Sequence, residues 1–308
     1  MTTIVLAGAS GFMGRHLHQA FRRDGATVRT IGRSVAADTR WDEDLTGVLE
    51  GADVLLNLAG RSVSCRYTKA NADEIFASRT ETTRALGLAL ARCANPPAVW
   101  LNASTGTIYR DARDRAQDER TGELGSGFSV AVARGWEHEL FAAPAVTRRV
   151  ALRTSIVLGA GGGALSPLVN LARIGFGGAE GDGAQQVSWV HIDDVYRAIR
   201  HVIDRADIAG PVNIASPNPV SNAELMAAVR RHLGGPVGRR MAVPLPAWSL
   251  EVGGRIIRTE PELVLKSRWV HPGILLDTGF DFRFPTLDQA LADLATEVPR
   301  GLLRVQLG

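Results

Sequence analysis

The fold class expected of this sequence is α/β with a parallel sheet, and three observations lead to it. Residues 3–7 (TIVLA) are an apolar run that ends in a glycine-rich turn and opens onto a helical pattern. Strand-like apolar runs and helix-length stretches then alternate as far as residue 158. The chain has 308 residues and is 45% hydrophobic, enough for a large core of one or two ordinary domains. Strands separated by helix-length segments read as parallel strands joined by crossovers, because a tight turn cannot connect a parallel pair.

Residues 3–7 are apolar in succession rather than at alternate positions, as in a strand buried on both faces. Residues 12–23 carry Phe12, Leu17, Ala20 and Phe21 at broadly helical spacing. Thr27–Ile31 is the second strand and Val54–Leu58 the third, followed by Ala59-Gly60. A helix over about 70–93 holds Ile75, Leu86, Leu88 and Leu90. Ala98–Leu101 is a strand, about 128–141 a helix, and Arg149–Arg153 a strand. Beyond 158 the pattern loosens. GAGGG (159–163) and GFGGAEGDG (175–183) read as turns or a mobile loop. Residues 211–220 contain a short strand and a Pro-rich turn. Ser221 is placed to cap a helix over 222–233, with Glu224 completing a capping box. Residues 235–246 read as a linker, and the tail holds helical stretches and the segment GFDFRFP.

Net charge is only +3 and the basic residues are dispersed, so no nucleic-acid surface is indicated. Cys65 and Cys93 have neither metal-site nor redox spacing and fit a reducing cytoplasm. The N-terminus runs directly into a strand and lacks the basic and apolar regions of a signal peptide. No apolar run reaches the ~20 residues that span a bilayer. The expectation is a cytoplasmic protein with no metal, nucleic-acid or membrane partner.

Gly8, Gly11 and Gly14 follow the first strand in LAGASGFMGRHL and open a helix. Gly8 permits a tight turn, Gly11 lets backbone approach a pyrophosphate, and Gly14 lets the helix pack close to the sheet. The helix N-terminus then stabilises phosphate charge. Ser10, Phe12 and Met13 in the same turn, and Leu58-Ala59-Gly60 after the third strand, are the further expected cofactor contacts. The second strand runs into Arg33 with no acid in place. An arginine there suits the 2′-phosphate of NADP, where a carboxylate would suit the ribose of NAD. The competing reading is a glycine-rich turn in a non-binding domain with Arg33 simply solvated.

Longer motifs narrow the field. They include NLAG followed by CRYTK and ASRTETT, then NAST before IY, GWEHEL, ALRTSIVLGAGGGAL, GFGGAEGDGAQQVSWVHIDD, NIASPNPVSNAEL and GFDFRFPTLDQAL. Together they resemble an atypical branch of the extended short-chain dehydrogenases/reductases, the epimerase family with a DUF1731 C-terminal domain, over essentially the whole chain. The resemblance implies a Rossmann-type doubly wound parallel sheet with a smaller C-terminal α+β substrate lobe. Residues 1–158, with 186–215 returning, would form the NAD(P)-binding domain; 159–185 and 216–308, including the DUF1731-like region, would form the smaller lobe. A homodimer through two helices is usual for such a fold.

Short-chain dehydrogenases use Ser or Thr, Tyr and Lys; a Tyr-x-x-x-Lys spacing puts the last two on one helix face. Thr105 stands at the usual hydroxyl position, four residues before Tyr109, with Ser104 beside it. The pair itself is missing: Phe128 stands where Tyr is expected and Val132 where Lys is. Candidate substitutes are Tyr109 facing the cleft, Glu119 in a loop that borders substrate in extended relatives, and Arg134 as the cation. His191 reads as structural, Asp193 and Asp194 as binding the N-terminal amides of their own helix, Trp136 as core, and Cys65 as inert though near the cleft. Ser166–Gly183, with Arg173, Phe176 and Gln185-Gln186, resembles substrate-lobe segments and suits a lid. Two functions follow. One is an NADP(H)-binding oxidoreductase or epimerase-like enzyme acting on a small carbonyl, alcohol or nucleotide-sugar. The other is a non-catalytic NADP(H)-binding sensor or interaction module, favoured by the missing pair.

Overall fold

The computed structural model describes residues 1–144, 146–249 and 265–305. In chain order the first half forms β1 (Thr3–Ala7), α1 (Phe12–Arg23), β2 (Thr27–Gly32), β3 (Thr39–Arg40), α2 (Thr46–Leu49), β4 (Val54–Asn57), α3 (Lys69–Leu90), β5 (Val99–Thr105), α4 (Phe128–Ala142) and β6 (Arg148–Thr154). The second half adds β7 (Ile156–Leu158), α5 (Leu165–Arg173), β8 (Gln186–Val187), β9 (Trp189–His191), α6 (Ile192–Asp204), β10 (Gly210–Ile214), β11 (Val220–Ser221), α7 (Asn222–Leu233), α8 (Gly235–Arg240), α9 (Gly273–Asp277) and α10 (Leu287–Glu297).

Seven strands make one sheet in the order β3-β2-β1-β4-β5-β6-β10, and every pairing in it is parallel. Alternation along β1 explains the two layers of helices. Ile4 and Leu6 face a core with Leu17 and Phe21 of α1 and Ile199 of α6. Val5 and Ala7 face the opposite core, with Leu86 of α3, Trp100 and Leu140 of α4. The chain works outward from β1 to β3 and then crosses back to β4. The crevice for a ligand therefore lies beyond the carboxyl ends of β1 and β4, where Ala7 pairs with Asn57.

A third core joins α5, α7 and α10 through Val169, Val229 and Leu291, with Trp189 beneath them. Two short ladders flank it, β7 with β9 in parallel and β8 with β11 antiparallel. The capping box on α7 forms as expected: Ser221 Oγ accepts from the Glu224 amide, and the Glu224 carboxylate accepts from the Ser221 amide.

Two expectations need correction. Half of the segment expected to be a lid is the packed helix α5, and part of the expected linker is α8. The GAGGG stretch is a fitted turn against the Phe12 ring, from which a Cβ on Gly159 or Gly163 would lie 2.8 Å. In the tail, Phe280 and Phe282 pack into the core shared by α1 and α6. No helix among the described residues is long and apolar enough to cross a membrane.

Candidate functional site

The turn after β1 is shaped by close backbone approach. Gly8 has φ +83°, and a Cβ there would lie 2.8 Å from the Leu58 backbone. A Cβ on Gly14 would lie 2.1 Å from the Gly8 carbonyl oxygen. Any side chain at either position would push apart the turn, α1 and the exit of β4. Gly11 caps α1 without a side-chain hydrogen bond, and the first helical turn holds no acid, whereas the last holds Arg22 and Arg23. The amides at the start of the helix are thus left to an anion, and this cradle fits a pyrophosphate. Around it, Met13, Leu58 and Gly60 line a cleft, and the Ala59 amide donates to Asn57 Oδ1 at 3.0 Å. Ser10 is exposed, its carbonyl accepting from Arg15. Arg33 is exposed just past β2 and makes no ion pair among the described residues. The acid on that loop, Asp38, is occupied by the Thr30 amide and hydroxyl at 2.7 and 2.8 Å.

The cleft has a volume of about 260 Å3 and is bounded by the ends of β4, β5 and β6 and the first turns of α4. A larger, shallower hollow of about 480 Å3 near Tyr109, Leu124 and Arg268 lies outside this crevice and takes nothing from the glycine turn. Thr105 Oγ1 accepts from the Thr107 amide and lies 3.1 Å from Thr107 Oγ1, so two hydroxyls meet at the end of β5 in the cleft wall. Ser129 Oγ and Ser155 Oγ line the same wall, both buried without a hydrogen-bond partner among the described residues. Buried hydroxyls left unpaired are costly unless a ligand or water engages them.

Phe128 and Val132 both line the cleft, so the positions of the missing pair face it with apolar side chains. Ser104 also borders the wall, but its hydroxyl donates to Glu137 Oε1 at 2.7 Å. Glu137 accepts two further bonds from Arg153, each 2.8 Å. Arg153 donates to Tyr109 Oη, which in turn donates to Asn213 Oδ1, both at 2.9 Å. Tyr109 is therefore buried in a closed network and does not face the cleft. Burial raises its phenol pKa above the ordinary value, despite the opposing effect of Arg153. Burial alone would lower the Arg153 pKa, but the Glu137 carboxylate holds it above the usual arginine value.

Other sequence candidates serve the fold. Glu119 accepts from the Asn213 amide at 2.8 Å and from the Ile274 amide, tying β10 to α9, and burial raises its pKa. Arg134 is exposed on α4 and forms no part of the cleft lining. His191, not Asp193 or Asp194, caps α6, through an Nδ1 that accepts from the Asp193 amide; burial lowers its pKa. Asp194 instead holds the Arg283 and Phe284 amides of the tail, each at 2.9 Å. Cys65 packs with Ile75 and Val132. Arg173 donates to the Leu233 and Gly301 carbonyls, Gln185 is buried, Gln186 lies in β8, and only Phe176 of that group is exposed.

Two cleft residues escaped the sequence reading. Tyr67, in the loop before α3, packs against Phe128 with ring centroids 4.7 Å apart and planes tilted by 58°. Arg79, within α3, places its guanidinium 5.0 Å from the centre of the Trp136 ring. Burial lowers the Arg79 pKa to about 10, with a small opposing effect from Tyr67. A helix entered directly from the loop after β4 was the available signal, since such a helix must border the crevice.

Comparison with known proteins agrees with this architecture. The model of the NAD dependent epimerase/dehydratase family matches residues 4–215, and that of DUF1731, a domain of unknown function, matches residues 245–294. The chain is 30% identical over 295 residues to the epimerase family protein SDR39U1 of Homo sapiens, covering 94% of this chain and 99% of that one. The crystal structure of human SDR39U1 (isoform 2) with NADPH is similar with a TM-score of 0.85 and 28% identity, over 96% of this chain and 100% of that one. A nucleoside-diphosphate sugar epimerase from Corynebacterium glutamicum gives 0.77 and 29% identity, over 96% of this chain and 59% of that one.

Proposed function

Because the chain belongs to the NAD dependent epimerase/dehydratase family, we propose that it is an NADPH-dependent oxidoreductase acting on a small carbonyl or alcohol substrate. The observation that carries the proposal is the glycine cradle opening directly onto a small cleft with hydroxyls in its wall. Gly8, Gly11, Gly14 and the start of α1 hold the pyrophosphate, and Arg33 takes the 2′-phosphate. The NADPH of the SDR39U1 crystal structure supports that choice. When bound, the dinucleotide supplies or accepts the hydride. The protein has to hold the substrate oxygen and move one proton. Thr105 and Thr107 hold the oxygen by hydrogen bonds. Tyr67, packed against Phe128, supplies the phenol that α4 lacks. At about 260 Å3 the cleft suits a small substrate better than a whole nucleotide-sugar.

The apolar Phe128 and Val132 favour a second reading, an NADPH-binding sensor or interaction module without turnover. Titration with NADPH and NADH, followed by nicotinamide fluorescence and thermal stability, tests the cofactor assignment. NADPH is expected to bind more tightly, and Arg33→Glu to weaken NADPH about 10- to 100-fold while sparing NADH. Binding of neither by folded protein overturns the assignment. A carbonyl panel separates the two readings. Turnover that Tyr67→Phe reduces about 100-fold, with NADPH affinity unchanged, supports the enzyme; tight NADPH binding with no turnover supports the sensor.

A further inference from the structure

Arg79 differs from Arg148, Arg149 and Arg153, which are also partly or fully buried. Arg153 is matched by the Glu137 carboxylate. Arg148 spends its guanidinium on the carbonyls of Val202, Ile203 and Ile208, and Arg149 on those of Leu140, Phe141 and Ala143. Arg79 makes one hydrogen bond, from Nη1 to the Ile75 carbonyl of its own helix, and no ion pair among the described residues. A guanidinium carries five N–H donors, so most of its donor set is unused by the protein. One face is covered by the Trp136 indole, and a Cβ on Gly60 would lie 3.2 Å from its Cζ, so the glycine leaves room for the group at the cleft wall. No Asp or Glu lines the cleft, and its other polar lining groups are neutral. A partly desolvated cation without a counter-ion is costly, and an anionic ligand in the same cleft removes that cost.

We propose that Arg79 is the receptor for a carboxylate or phosphate group of the substrate, so that the protein acts on small anionic carbonyl or alcohol compounds. The planar fork of a guanidinium matches both groups with two parallel hydrogen bonds. The unpartnered Ser129 and Ser155 hydroxyls in the same wall offer further donors. The inference rests on reading the cleft as the substrate site, and it adds the charge of the substrate to that reading.

The test uses oxamate and inorganic phosphate as anionic probes and oxamide as the neutral counterpart of oxamate. Binding is read by thermal shift without cofactor and by fluorescence of bound NADPH. Wild-type protein is expected to bind at least one anion, with oxamide about 10-fold or more weaker than oxamate if oxamate is that anion. Arg79→Met is expected to weaken the anion about 10- to 100-fold and leave NADPH affinity as in the wild type. Arg79→Lys keeps the charge but loses the two-pronged donor set, and should fall between them. It decides the matter if Arg79→Met does not fold. The proposal is overturned if neither anion binds, if oxamide matches oxamate, or if anion affinity is the same in Arg79→Met. It is also overturned if the Arg79 variants lose NADPH rather than the anion, since the guanidinium then serves the cofactor. Protein that fails to bind NADPH yet binds the anion through Arg79 retains this proposal and loses the cofactor assignment.

Discussion

The residues that carry charge inside this protein fall into satisfied and strained groups. Glu137 is satisfied, with three charge-assisted or hydroxyl donors on its two oxygens. Glu180 is strained: it is 2% exposed, and its carboxylate has one side-chain partner, the Asn222 amide at 3.0 Å. Burial raises its pKa above the ordinary 4.5, and Asn222 offsets only part of that. A carboxyl whose pKa is raised on folding favours the native state below its unfolded value and loses that contribution as pH rises through its folded value. Glu180→Gln does not titrate and keeps an oxygen to accept from Asn222. Its stability relative to the wild type should therefore grow as pH rises above the ordinary carboxylate value of 4.5, by ~1.4 kcal/mol for each unit by which burial raises the pKa. Urea midpoints across that range measure the difference; one that stays flat would show that the carboxylate is effectively solvated.

At the scale of elements, the β/α alternation up to β6 was legible because β1 is an almost continuous apolar run and β4, β5 and β6 each carry one, with helix-length segments between them. The capping box at Ser221 was legible because its chemistry is local. The helices α5 and α8 were missed for one reason. Pro167 falls at the third residue of α5 and Pro236 at the second of α8, within the first turn, where the missing amide has no helical acceptor to lose. Read from sequence alone, the same prolines signal a break. The turn at 159–163 was legible as a turn, but composition cannot reveal the ring it accommodates. That α3 borders the crevice was legible, but the meeting of Tyr67 and Arg79 with Phe128 and Trp136 was not, because it depends on how the loop after β4 folds back. The fit of the glycine turn can be measured. A Cβ on Gly159 would lie 2.8 Å from the Phe12 ring and 3.1 Å from Ile192. Gly159→Ala should cost about 1–3 kcal/mol in chemical denaturation. In a Phe12→Ala background the cost should shrink by at least ~0.5 kcal/mol, leaving the Ile192 contact as the remainder. Equal costs in both backgrounds would mean that the turn is not shaped around Phe12.

At the scale of the whole molecule, the tail closes the structure. Phe280 and Phe282 join the core of α1 and α6, while Phe284 joins that of α5, α7 and α10 and packs against His191 with ring centroids 4.0 Å apart. Between them Asp194, fully buried at the start of α6, accepts the amides of Arg283 and Phe284. One carboxylate thus fixes the point where the tail crosses from one core to the other. Asp194→Ala orphans both amides and should cost about 2–5 kcal/mol, whereas Asp194→Asn keeps one acceptor oxygen and should cost less. Because the tail belongs to both cores, the loss should be shared by the whole chain. Trp100 lies in the sheet and Trp189 in the smaller core, so tryptophan fluorescence samples both. In guanidinium chloride its transition should coincide with that of far-UV circular dichroism in the wild type, and both should shift together in Asp194→Ala. If the mutant instead lost fluorescence first while the sheet's dichroism held, the smaller core would be an independent unit. Coincident transitions would mean that the tail, the smaller core and the sheet with its cleft stand or fall together.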